Sequence, residues 1–179
     1  MTQKARIYGD SLYELAVAEH LTEPILTQAR EVGALLAENP DYRRLLAEPS
    51  IPMAERVGLL DQAFSGTIER YLLNFLKILC EHGMLGEWEG CLAQYQERYD
   101  RDHGIARATV TSAVALTIAQ AQALKERLEQ MCGKNVILTR KVQPSLIGGM
   151  RIELEGKMID GTVAGRMSGL QKKIKENLN

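Results

Sequence analysis

Aromatic residues make up only 5% of the 179-residue chain, with a single Trp and two Phe. Leu, Ile, Val, Ala and Met must therefore fill any core. Cysteine is scarce and odd in number: three residues, with no C-x-x-C pair. That excludes a disulfide framework and implies a reducing compartment. An excess of either charge is missing as well, because 22 basic residues stand against 23 acidic ones for a net charge of −1. A chain so balanced has no general attraction for nucleic acid or an anionic membrane surface. Long apolar runs are absent from the start of the chain, MTQKARIYGDSLYELAVAEH, which charges interrupt every few residues. It reads as neither a signal peptide nor a membrane span. What remains, 45% hydrophobic and 25% charged, is the composition of a soluble, intracellular globular chain, long enough for one ordinary domain or two small ones.

Two periodicities divide the sequence. Up to about residue 104 the spacing is helical. Tyr8, Leu12 and Leu15 form one stripe, and Ile25, Ala29, Val32 and Leu36 another, which Asn39-Pro40 ends. Asn39 is a candidate cap for the short helix PDYRRLLAE, with Pro40 in its first turn. MAERVGLLDQAF gives a fourth helix. Thr67 is a candidate cap for a fifth, TIERYLLNFLKILCEHG, which His82 and Gly83 close. Leu85, Trp88, Leu92, Tyr95 and Tyr99 mark a sixth. Short breaks between short helices predict an antiparallel bundle.

Beyond RDHG the period falls to two. In ARATVTSAV, Ala108, Val110, Ser112 and Val114 alternate with Thr109, Thr111 and Ala113, the pattern of a strand. Thr117 and Gln120 have the spacing of a capping box, opening a helix with Ala121, Leu124, Leu128 and Met131 inward and Gly133 at its end. NVILTRKV and MRIELEG follow as strands. A last helix over 162–177 carries Val163, Met167, Leu170 and Ile174 on one side, with Lys172, Lys173 and Lys175 on the other. The fold class expected is α+β: a six-helix antiparallel bundle over 1–104, then a small α+β domain over 105–179.

Reaction chemistry finds no foothold. G-x-x-x-x-G-K-[ST] and G-x-G-x-x-G do not occur, and GTVAG at 161–165 has too few glycines for a dinucleotide loop. Cys80, His82, Cys91 and His103 match no zinc spacing, and both cysteines sit in apolar helices. Glu153 and Glu155 fall on the polar side of an alternating strand, where solvated charge is the default, and Asp160 is a candidate helix cap. The expectation is no catalytic residue, no metal and no cofactor. The glycines at 148, 149, 156 and 161 then serve the backbone, as bends and turns.

The order of IGGMRIELEGKMIDGTVAGRMSGL closely resembles the C-terminal signature of the delta subunit of F-type ATP synthases, the family whose mitochondrial member is the oligomycin-sensitivity-conferring protein. Gly148, Gly149, Ile152, Gly156, Ile159, Asp160, Gly161, Val163, Gly165, Arg166 and Leu170 carry the match. RIYGDSLYELA resembles the family's first helix, with Gly9 where alanine is commoner. The resemblance implies a non-catalytic subunit of the peripheral stalk, one copy per complex, on the cytoplasmic face of the cell membrane. It would touch the membrane only through the complex and bind no nucleic acid.

By the same resemblance the helical domain grips N-terminal segments of alpha subunits, and the second domain receives the C-terminus of the b subunits. The first and fifth helices are more widely apolar than one inward stripe requires. With the resemblance, this makes Ile7, Tyr8, Leu12, Leu15, Ala16, Tyr71, Leu72, Phe75, Leu76 and Leu79 the expected alpha interface. Lys172, Lys173 and Lys175 are the expected b interface. Two other readings stay open on the residues alone. One is an enzyme holding a phosphorylated ligand in the glycine-rich stretch; the other is an RNA-binding α+β module, against which the neutral charge and the lack of strand aromatics speak.

Overall fold

The structure, a computed structural model, describes residues 2–146 and 148–161. The expected last helix, with Gly165, Arg166, Leu170, Lys172, Lys173 and Lys175, lies outside the described residues. The fold is α+β, mostly helical. The chain divides into two compact units between Tyr99 and Asp100.

In the first unit, α1 (Gln3–Ala18) opens where the Thr2 hydroxyl accepts from Ala5 N at 3.1 Å. Helices α2 (Thr22–Glu38), α3 (Pro40–Ala47), α4 (Met53–Phe64) and α5 (Arg70–Glu81) follow, then a 3-10 turn at Leu85–Glu87 and α6 (Trp88–Asp102), which runs across the division. Their inward stripes close on one core, in which Leu12, Ile25, Val32, Leu60, Leu72, Leu76 and Tyr95 are buried. The scarcity of aromatics is met by concentrating them. Tyr13 and Tyr95 meet edge to face at 5.2 Å, and Phe75 lies 6.1 Å from Trp88. Arg56, though charged, is buried in this core, donating to the carbonyls of Leu46 and Ile51 at 3.2 Å each. It thereby satisfies the broken backbone between α3 and α4.

Two expected caps act otherwise. The Asn39 amide donates back to Leu35 O at 2.8 Å, closing α2 instead of opening α3. The Thr67 hydroxyl donates to Phe64 O at 2.7 Å, and α5 begins only at Arg70. The cap comes from another helix: Gln28 Oε1 accepts from Glu69 N at 2.7 Å. At the far end Gly83, with φ of 64°, closes α5 as expected, and Met84 N donates to Leu79 O at 2.7 Å.

The second unit holds β1 (Ile105–Ser112), α7 (Ile118–Cys132), β2 (Asn135–Val142), β3 (Met150–Leu154) and β4 (Lys157–Asp160), with strand order β2-β1-β3-β4. The β1-α7-β2 crossover makes a parallel pair, and β3 and β4 add antiparallel. Ala106, Ala108, Val110, Val136 and Ile152 form its buried centre with Leu128 of α7. The expected capping box is present: Thr117 accepts from Gln120 N, and the Gln120 side chain accepts from Thr117 N. Two expectations need correction: Val114 lies past the strand and is exposed, and Met131 is exposed while Cys132 packs on the core. KMID, to which the sequence pattern assigns no element, is a strand. Glu155 and Gly156, at φ of 48° and 75°, make the two-residue turn that folds it back on β3.

Candidate functional site

Cys80 and Cys91 are buried free thiols, and burial pushes the Cys91 thiol up to about 11. Glu155 pairs with Lys134, and Asp160 lies 3.6 Å from Arg151 across the β3–β4 hairpin. Glu153 is exposed. Among the described residues no group of His, Cys, Asp and Glu is placed to hold a metal ion. Gly148 and Gly149 precede β3 at φ of 96° and 82°, a conformation side chains resist. Gly161 closes β4 by donating to Met150 O at 2.9 Å.

The feature that stands out is a groove between α1 and α5, a cavity of about 430 Å³ walled mostly by apolar side chains. Both helices have apolar arcs wider than the core can absorb. The inward part of each arc is buried. Ala16, Leu72, Leu76 and Leu79 are fully enclosed and do not line the groove. The outward part is left open, with Ile7 56%, Leu15 37% and Ile78 41% exposed. Ile7, Tyr8, Leu12 and Leu15 line one wall, and Tyr71, Phe75 and Ile78 the other. Phe75 and Leu12 serve both purposes, since each is buried in the core and shows one edge to the groove.

The walls are held firmly. The Tyr8 ring sits 6.4 Å from Phe75 and 6.5 Å from His82. Arg70 lies over the Tyr71 ring at 4.7 Å and donates to its hydroxyl at 2.8 Å. Both helices therefore present a mostly apolar trough, the form that receives the apolar face of another helix. Ser11, Asn74 and Ile78 also line it and were not singled out from the sequence. Ile78 falls at the spacing of Tyr71 and Phe75, so the helical period contained it. The two polar residues carried no such signal.

Across the core, α1 meets α6. Gly9 packs so closely that an added Cβ would stand 2.5 Å from Cys91 O. Beside it Asp10 accepts from Gln94 Nε2 and Arg98 Nη1, each at 3.0 Å.

Residues 5–174 match the family model of the ATP synthase delta (OSCP) subunit. The chain is 30% identical over 170 residues to ATP synthase subunit delta of Desulfitobacterium hafniense (strain Y51), covering 95% of each. It is 34% identical over 170 residues to ATP synthase subunit delta of Gloeobacter violaceus, covering 94% of this chain and 92% of that one. In fold it is similar to a chain of the Toxoplasma gondii mitochondrial ATP synthase hexamer, with a TM-score of 0.73 at 19% identity over 97% of this chain and 98% of that one.

Proposed function

Because the chain belongs to the ATP synthase delta (OSCP) subunit family, we propose that the α1–α5 groove seats the N-terminal segment of an alpha subunit. The chain is a non-catalytic, structural subunit of the peripheral stalk, the stator that keeps the catalytic head from turning with the rotor. As part of that complex it is associated with a membrane, although no helix among the described residues is long and apolar enough to cross one. A stator part of this kind needs surfaces, not an active site.

The observation that carries the reading is the groove itself, where Ile7, Leu15 and Ile78 stay exposed beside a closed core. Covering exposed apolar area of this kind is favourable. In this reading the six helices of the first unit form an antiparallel bundle whose α1 and α5 hold an amphipathic alpha helix. Ala16, Leu72, Leu76 and Leu79 support the groove from behind. The second unit takes the C-terminus of the b subunits, with Lys172, Lys173 and Lys175 as the basic face toward it. One copy serves each complex, on the cytoplasmic face of the membrane.

Copurification from membranes tests this. The tagged chain should recover alpha, beta and b subunits, identified by mass spectrometry. An Ile7→Glu variant should still recover b from detergent extracts while losing the head subunits. Undiminished recovery of alpha by that variant would contradict the groove assignment.

A further inference from the structure

Along both walls the groove is mostly apolar; its polar groups are the Tyr8 and Tyr71 hydroxyls, the Ser11 hydroxyl and one amide, that of Asn74, and the Tyr71 hydroxyl is engaged by Arg70 at 2.8 Å. The Ser11 hydroxyl is engaged by its own helix, donating to Ile7 O at 2.9 Å. Asn74 differs. It is exposed, and its amide makes no hydrogen bond with any described residue. It lies three residues after Tyr71 and four before Ile78, within the same apolar stripe of α5. An amide with no hydrogen bond to any described residue thus sits between Tyr71 and Ile78 on a mostly apolar wall.

We propose that Asn74 determines which helix the groove accepts and in which register. In the empty groove water satisfies its amide. An apolar face laid into the groove strips that water away and leaves a donor and an acceptor without partners, unless the occupant supplies them. An unbroken apolar stripe is therefore penalised, by about ten-fold or more in affinity. A stripe interrupted by one amide, hydroxyl or carboxylate side chain opposite Asn74 is favoured, and only in the register that brings the two together. A single polar residue in a coiled-coil seam selects register by the same physics. This rests on the reading of the groove as the seat of the alpha N-terminal segment and narrows it. That segment docks as an amphipathic helix with one polar side chain inside its apolar stripe.

Calorimetric titration of the full chain and of Asn74→Leu with a synthetic copy of the alpha subunit's N-terminal segment tests the proposal. A set of peptides, each with one polar residue replaced by Leu, completes a double-mutant cycle. Asn74→Leu should melt no lower than the parent, because it loses no hydrogen bond and Leu is the better helix former. It should bind the parent peptide about ten-fold more weakly. One peptide variant, and one only, should bind the parent chain weakly and regain affinity on Asn74→Leu. Equal affinity of the two chains for the parent peptide, or coupling at no peptide position, would overturn the role of Asn74 alone. Failure of the parent chain to bind the peptide at all would overturn the groove reading and this inference with it.

Discussion

Helix α1 has two seams, one with α6 and one with α5, and they are built in opposite ways. Toward α6 it offers its smallest residue, Gly9, so that the two backbones touch, and polar groups latch the contact through Asp10, Gln94 and Arg98. Toward α5 it offers Ile7, Tyr8 and Leu15, side chains large enough to fill a seam, yet a cavity of about 430 Å³ stays open. A chain able to close one seam to backbone contact has the means to close the other. In the proposed reading the α1–α5 gap is the docking surface, and the apolar area kept open on it is covered by the partner.

The largest expected effect follows from the closed seam. Gly9→Val places a branched side chain where even a Cβ stands 2.5 Å from a carbonyl oxygen. Urea unfolding should show the helical unit destabilised by about 3 kcal/mol or more, since overpacking against backbone has no flexible end to yield. A cost near zero would mean that the two seams do not differ in the way described. A smaller effect is expected in the second unit. Gly149→Val, at a φ of 82°, should cost about 1–3 kcal/mol through backbone strain. The thermal transition of the helical unit should be unmoved. Loss of the first transition instead would show that the two units do not melt independently.

The smallest effect belongs to pH. Cys91 lies in the closed seam, and burial raises its thiol to about 11 from an unfolded value near 9. Its neutral form is the one the fold favours, so its contribution is intact below pH 9 and is lost as the pH rises toward 11. Cys91→Ala should flatten that alkaline decline in a pH series of melting temperatures. In the parent, a thiol reagent at neutral pH should label the half-buried Cys132 before either buried cysteine.

Much of this was legible in the sequence, for reasons that differ by residue. The stripes of α1, α2 and α5 and the capping box of α7 are local patterns, and local patterns survive folding. Caps supplied from elsewhere are not local. Nothing near Thr67 announces that Gln28, on α2, will hold the start of α5. Gly9 reads in the sequence as a departure that weakens a helix, and only the presence of α6 against it turns it into a packing device. KMID was too short, between Gly156 and Asp160-Gly161, to show a strand without its partner β3. In the groove the same limit applies. The sequence reveals that α1 and α5 carry surplus apolar width, but dividing Ile7 and Ile78 from Leu76 and Leu79 depends on which neighbours arrive. Asn74 carries no signal in the sequence, since a polar residue inside an apolar stripe has no periodicity of its own.

In the proposed reading the open seam binds and the core behind it only supports. Ile7 and Ile78 are the residues to charge, since both are exposed. Phe75, at 7% exposure and packed on Trp88, would report the core as well. Calorimetric titration with the alpha N-terminal peptide, run beside thermal melts of the same samples, is the direct measurement. Ile7→Glu and Ile78→Glu should each abolish saturable binding while stability stays within about 0.5 kcal/mol of the parent, as for other surface substitutions. Parent-like binding by both variants, at parent-like stability, would show that the open seam is not the binding surface.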